Sequence, residues 1–308
     1  MRIHEGTQVR SGIGFGRLIR ESFIALRRND PLRMAAATSF FTTFALPPII
    51  IILFQLFTLF LSRKLVGTQM MELLTTTFGK ESAQQIRFTT RGFRSIAQNW
   101  YIATAGFLFL VFVATTLFSV IKNTLNDIWN IKVKEKRGFL FNLQLRGRSL
   151  LIIIVSGILF LASIAVDSFE LLAGDYMEKV VNGGGIFFRS ALNEITGAII
   201  IAIWFVVLFR FLADGRPCWK VSLAGGLLTG VLFSAGKALL SYLVQNSNAS
   251  TIYGASGSLV LLLLFVFYCS FILYYGASFI LVYSTALGEP IETLHHSYHY
   301  EQVEIKED

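Results

Sequence analysis

Several uninterrupted apolar stretches, each about as long as a bilayer is thick, constrain this chain more than any other feature. A helix crossing ~30 Å of hydrocarbon at ~1.5 Å per residue needs roughly 20 apolar residues. The sequence supplies such runs at about 32–61, 102–121, 149–166, 195–212, 221–244 and 258–283. Only 15% of its residues are charged and 54% are hydrophobic, whereas soluble domains are about a quarter charged. The expectation is an all-α, polytopic membrane bundle of about six spans with amphipathic surface helices. It divides into a basic amphipathic segment over 1–31, a six-span domain over 32–285 and an acidic tail over 286–308.

The net charge of +8 would suit a nucleic-acid binder, but the basic residues crowd beside the apolar runs. There they set topology and meet anionic headgroups. The expected partners are therefore membrane lipids, with anionic headgroups at the basic segments, and no nucleic acid. The oligomeric state is left open. With the N-terminus inside, Lys and Arg number eighteen in inner segments and eight in outer ones, which places both termini in the cytoplasm of a bacterial inner membrane. Six of the outer eight lie between Arg63 and Arg94 and weaken that bias. Their interleaving with Ile86, Phe88, Phe93 and Ile96 suggests a surface-lying helix. The first 30 residues lack an apolar core with a cleavage site, so the first span is read as an uncleaved anchor.

Phe15, Leu18, Ile19, Phe23 and Leu26 recur at helical spacing with Arg17, Arg20, Arg27 and Arg28 among them, the pattern of a helix lying on a membrane surface. Asn29-Asp30-Pro31 then starts the first span. Pro47-Pro48 should kink that span or split it in two. The tail beyond Gly288 is polar and is expected to lack order.

Three stretches offer chemistry. Lys237 lies inside a predicted span, where a charge costs ~3 kcal/mol or more. Gly226, Gly230, Ser234, Lys237 and Ser241 share an arc of about 80° on a helical wheel, and Gly226-x-x-x-Gly230 has the spacing of close helix contact. Lys237 with Ser234, Ser241 and Tyr268 is one candidate substrate pathway. The alternative is structural: the Lys stem snorkels outward or pairs with Asp167, Glu170 or the Tyr268 hydroxyl. Thr42 and Gln55, with Thr38, Ser39 and Thr43, flank the prolines, where a broken helix would expose backbone dipoles; the alternative has the hydroxyls bonding their own helix. The Gly- and Ser-rich stretch from Asn246 to Ser258 reads as a re-entrant turn or as an interfacial loop anchored by Tyr253.

Other signals carry little. Gly12-x-Gly14-x-Gly16 lacks a strand–helix context. His295, His296 and His299 sit in a polar tail and read as solvated. Asn248-Ala-Ser250 is an acceptor only in a secretory setting. Cys218 and Cys269 suggest neither disulfide nor metal. Of the titratable groups, only Asp167, Glu170, Glu194 and Lys237 lie near the apolar region. No enzyme, cofactor or metal is expected.

Several stretches resemble the YihY/BrkB family of inner-membrane proteins. MAAATSFFTTFALPPIIIIL is similar to its Ala-rich segment running into Leu-Pro-Pro. NDIWNIKVKEKRGF is similar to its Asn-x-x-Trp and basic linker. Trp219-Lys220 followed by YGASGSLVLLLLFVFYCSFILYYGASFILVY is similar to its Leu-rich run and closing Gly-Ala. The likeness covers roughly residues 30–285. It implies six spans, an activity that is poorly defined, a transport role that has been suggested, and an association of some members with serum resistance or virulence. An older ribonuclease label for the family is regarded as mistaken. The chain departs at Phe265, where relatives often carry Trp, and at Ser278, where they often carry Glu. The expected function is a transporter or permease of a small solute or lipid-like substrate, with a non-transport envelope or lipid-binding scaffold as the alternative.

Overall fold

The computed structural model describes residues 14–58, 62–78, 100–134, 184–246 and 257–301, with isolated positions between. Among them are seven helices: α1 (Phe15–Arg27), α2 (Pro31–Phe57), α3 (Arg63–Phe78), α4 (Trp100–Ile128), α5 (Gly184–Phe211), α6 (Trp219–Asn246) and α7 (Gly257–Leu287). Four short strands join them: β1 (Ile131–Val133), β2 (Gly215–Arg216), β3 (Glu292–Thr293) and β4 (Ser297–His299).

Three helical runs, Pro31–Ile51, Trp219–Leu240 and Leu262–Leu287, are long and apolar enough to cross a bilayer, and Ile195–Phe211 is a shorter apolar run. The protein is thus a helical membrane protein. The expected span 102–121 lies within α4 and 195–212 coincides with the second half of α5. The expected span 149–166 falls largely outside the described residues, as do most of the turn before α7 and most of the surface helix expected near Ile86–Ile96.

In α1, Leu18, Ser22 and Leu26 are buried, one residue per turn along a single face. The Tyr275 hydroxyl of α7 donates to the Ile19 carbonyl at 3.0 Å, fixing α1 against that helix. Asp30 takes φ +48°, a conformation a short polar side chain tolerates, and Pro31 opens α2 at a position where its missing N–H costs nothing.

Two sequence expectations need correction here. α2 runs unbroken through Pro47-Pro48, which removes the split and leaves the kink as an expectation: two prolines remove two backbone donors, and the helix resumes its bonding on either side. Of the segment beyond Gly288, the described residues up to 301 are ordered and carry β3 and β4, because backbone partners far away in sequence pair with them.

Those partners define one end of the molecule. β1, which follows α4, pairs antiparallel with β4, in register Ile131↔His299 to Val133↔Ser297. β2, between α5 and α6, pairs antiparallel with β3. The last turns of α4, α5 and α7 and the first turn of α6 therefore converge at one strand-capped end. Its core includes Trp129, Ile131, Leu212, Ala213, Val221 and Ile291. The Trp129 indole donates to the Ala277 carbonyl at 3.0 Å. Gly215 is required there: a Cβ would sit 2.6 Å from Ile131 Cδ1 and 2.8 Å from Trp129 Cε3.

α3, which sequence reading left in a loop, packs Val66 and Met70 onto Phe57 of α2. Its mixed composition offers no long apolar run, so only this packing reveals it.

Candidate functional site

α6 and α7 pack closely at Gly236, where a Cβ would fall 1.9 Å from Tyr268 Cε1. Tyr268 donates its hydroxyl to the Leu232 carbonyl at 2.7 Å, so its polar atom is spent on the α6 backbone. Beside this contact lies a cavity of about 430 Å³, lined by Leu32, Gly236, Leu239, Leu240, Leu264, Phe265, Phe267, Tyr268 and Phe271. The volume falls in the range of ligand sites, ~300–1,000 Å³, and the walls are almost wholly hydrocarbon and aromatic. Leu239 and Leu264 are 56% and 52% exposed, so the cavity opens on the outer surface of the bundle. Phe265 is buried and meets Phe233 edge-on, with ring centroids 5.8 Å apart.

Of the described candidate pathway residues, Tyr268 alone lines this cavity, beside Phe265, where the chain departs from the family pattern. Lys237 follows Gly236 directly but points elsewhere, since successive helical residues are ~100° apart; it is exposed. Ser234 is half-buried. Gly226 and Gly230 pack on α5: a Cβ on Gly226 would lie 2.3 Å from Val206 Cγ2, and one on Gly230 3.1 Å from Ala202 Cα. Thr42 and Thr43 donate to the carbonyls of Thr38 and Ser39, within their own helix. Thr38 differs, its hydroxyl sharing a hydrogen bond with that of Tyr274. Pro47 is buried, while the side chains of Pro48, Gln55 and Ser241 lie outside the described residues. Asp167 and Glu170, considered as partners for Lys237, also lie outside them. Ser278 is fully buried and its hydroxyl has no hydrogen-bond partner among the described residues.

The strand-capped end holds a polar centre that sequence reasoning missed. Asp214, in the turn after α5, is 0% exposed at its side chain and lies 2.8 Å from Lys122 Nζ of α4, itself 8% exposed. Asn126 Nδ2 donates to Asp214 Oδ2 at 2.8 Å, and Asn126 Oδ1 accepts from the Asp214 backbone N–H at 3.0 Å. His296 Nε2 sits 3.1 Å from Oδ1. The Leu294 N–H donates to the Asp214 carbonyl at 3.0 Å. Burial pushes the Asp214 carboxyl up and is the largest single influence, but the Lys122 charge and hydrogen bonds from Lys122, Asn126 and His296 outweigh it and hold the carboxyl below its usual value. His296, expected to be solvated, thus ties the tail to the α5–α6 turn. A usable signal was Lys122, a cation closing an apolar run, just ahead of Asn126-x-x-Trp129. Among the described residues no group of three His, Cys, Asp or Glu could hold a metal ion.

A family model described as "Virulence factor BrkB" matches residues 23–299. The chain belongs to the BrkB family. This BrkB-family match includes every residue of the cavity wall and the whole Asp214 centre. A UPF0761 membrane protein of Teredinibacter turnerae is 27% identical over 261 residues, covering 85% of this chain and 59% of that relative. One of Saccharophagus degradans is 27% identical over 252 residues, 80% of this chain and 55% of the relative. One of Vibrio vulnificus is 24% identical over 288 residues, 92% and 85% respectively. The chain spans a little over half the length of the first two. No solved structure matches it.

Proposed function

We propose that this membrane protein carries a lipid-like amphiphile, with the strand-capped end in the cytoplasm of a bacterial cell. The observation that carries this reading is the cavity beside Tyr268: its walls are apolar and it opens sideways through Leu239 and Leu264. A polar solute would find almost nothing to hydrogen-bond there, and desolvating it unpaired is costly. A hydrocarbon chain would bury apolar surface against Phe265, Phe267 and Phe271 at ~25 cal/mol per Å². Lys122, Lys132, Lys134, Arg210, Arg216 and Lys220, which lie at or beside the capped end, support the orientation.

A second reading is a lipid-binding scaffold that moves nothing. It is favoured by the sealed packing around α7, whose residues from Ile272 to Ile280 are all buried. No catalytic role enters either reading.

Reconstitution into vesicles carrying fluorescent lipid, with dithionite quenching of the outer leaflet, tests transport. Accelerated exchange supports a carrier; no exchange, with lipid still bound to the purified chain, supports the scaffold. Leu264→Trp should fill the cavity and displace the bound lipid while the helices melt as in the parent. Undiminished lipid content in that variant would remove the cavity from both readings.

A further inference from the structure

We infer that the lipid is an anionic phospholipid, its acyl chain in the α6–α7 cavity and its phosphate held by Arg27, Arg28 and Arg33. This rests on the cavity reading above and adds a headgroup to it. Leu32 lines the cavity and sits in the first turn of α2, between Arg28 and Arg33, so the chain carries this cationic stretch to the edge of an apolar hole. Arg27 and Arg28 are exposed. The Arg33 side chain is 79% exposed, and its contact with Asp30, itself 73% exposed, is a single 3.4 Å approach. Three cations thus face one carboxylate in this stretch. Exposed pairs of that kind contribute little, whereas a guanidinium meets phosphate through paired, charge-assisted hydrogen bonds.

The remaining face of α1 fits the same depth. Leu18 and Leu26 are spent on the bundle, while Phe15, Phe23 and Ile24 remain exposed beside Arg17 and Arg20. Apolar and cationic side chains together on an outward surface suit the headgroup–acyl boundary. A zwitterionic lipid would fill the cavity equally well but leave the junction's positive charge uncompensated.

The test is native mass spectrometry of the full chain released from bilayers of equal phosphatidylglycerol and phosphatidylcholine. The parent should retain phosphatidylglycerol preferentially, and the preference should fall by roughly fivefold per arginine removed. In Arg27→Gln/Arg28→Gln/Arg33→Gln, lipid should remain bound with no class preference, and circular dichroism melts confirm folding. The Lys triple, which keeps charge without the guanidinium fork, should retain part of the preference. Unchanged preference in the Gln triple overturns the headgroup assignment and leaves the cavity reading standing; unchanged lipid content in Leu264→Trp overturns both. Inorganic phosphate should not release the lipid from the parent. Release would reassign the arginines to a free anion and overturn the inference.

Discussion

The strand-capped end and the Tyr268 cavity share α6 and α7, yet they spend polar groups in opposite ways. At the capped end a buried carboxylate, a lysine, an asparagine and a histidine converge from three chain segments. At the cavity a tyrosine hydroxyl is consumed by the neighbouring backbone, leaving hydrocarbon walls. Directional bonds admit one arrangement, whereas apolar walls accept any chain of suitable width. The contrast teaches that this molecule fixes its geometry at one end and leaves the other able to adapt.

The largest effect should come from breaking the rigid end. Asp214→Ala strands Lys122 in a buried site and should cost ~3–5 kcal/mol, read as a lowered unfolding midpoint in detergent. Asp214→Asn combined with Lys122→Met should recover much of that loss. An Asp214→Ala protein as stable as the parent would erase the distinction between the two ends.

Acid should act on the same end next. Because the folded carboxyl of Asp214 lies below its unfolded value, its stabilisation is complete above the ordinary carboxylate pKa of about 4 and fades as pH falls through the lower, folded value. Hydrogen exchange at Leu294 and Ser297 should therefore stay slow at pH 5 and quicken only below about 4. Exchange in the Asp214→Asn protein should lack that step.

Smaller effects sharpen the contrast. Gly215→Ala forces a Cβ among Ile131, Trp129 and Ile291 and should cost ~1–3 kcal/mol by overpacking. Lys237→Met, at an exposed position, should change the melt by less than about 0.5 kcal/mol.

The adaptable region was easier to read from sequence than the rigid one. Apolar runs are local, so α2, α6 and α7 announce themselves by length. Gly226 and Gly230 also carry their message in their spacing. Asp214 does not: its partners Asn126 and His296 are 88 and 82 residues away, and nothing in a polar tail distinguishes a tethered histidine from a solvated one. The cavity was half legible. Tyr268 stood out, but Leu32 and Leu264 look like any other apolar residues until the helices are brought together.

The two ladders join residues 131–133 and 215–216 to strands near residues 292–299. During synthesis, the edges of β1 and β2 must therefore wait, unpaired, until the ribosome has delivered everything through α7. Completing the cap is a late event in biogenesis, and an interrupted chain would expose raw strand edges to membrane quality-control proteases.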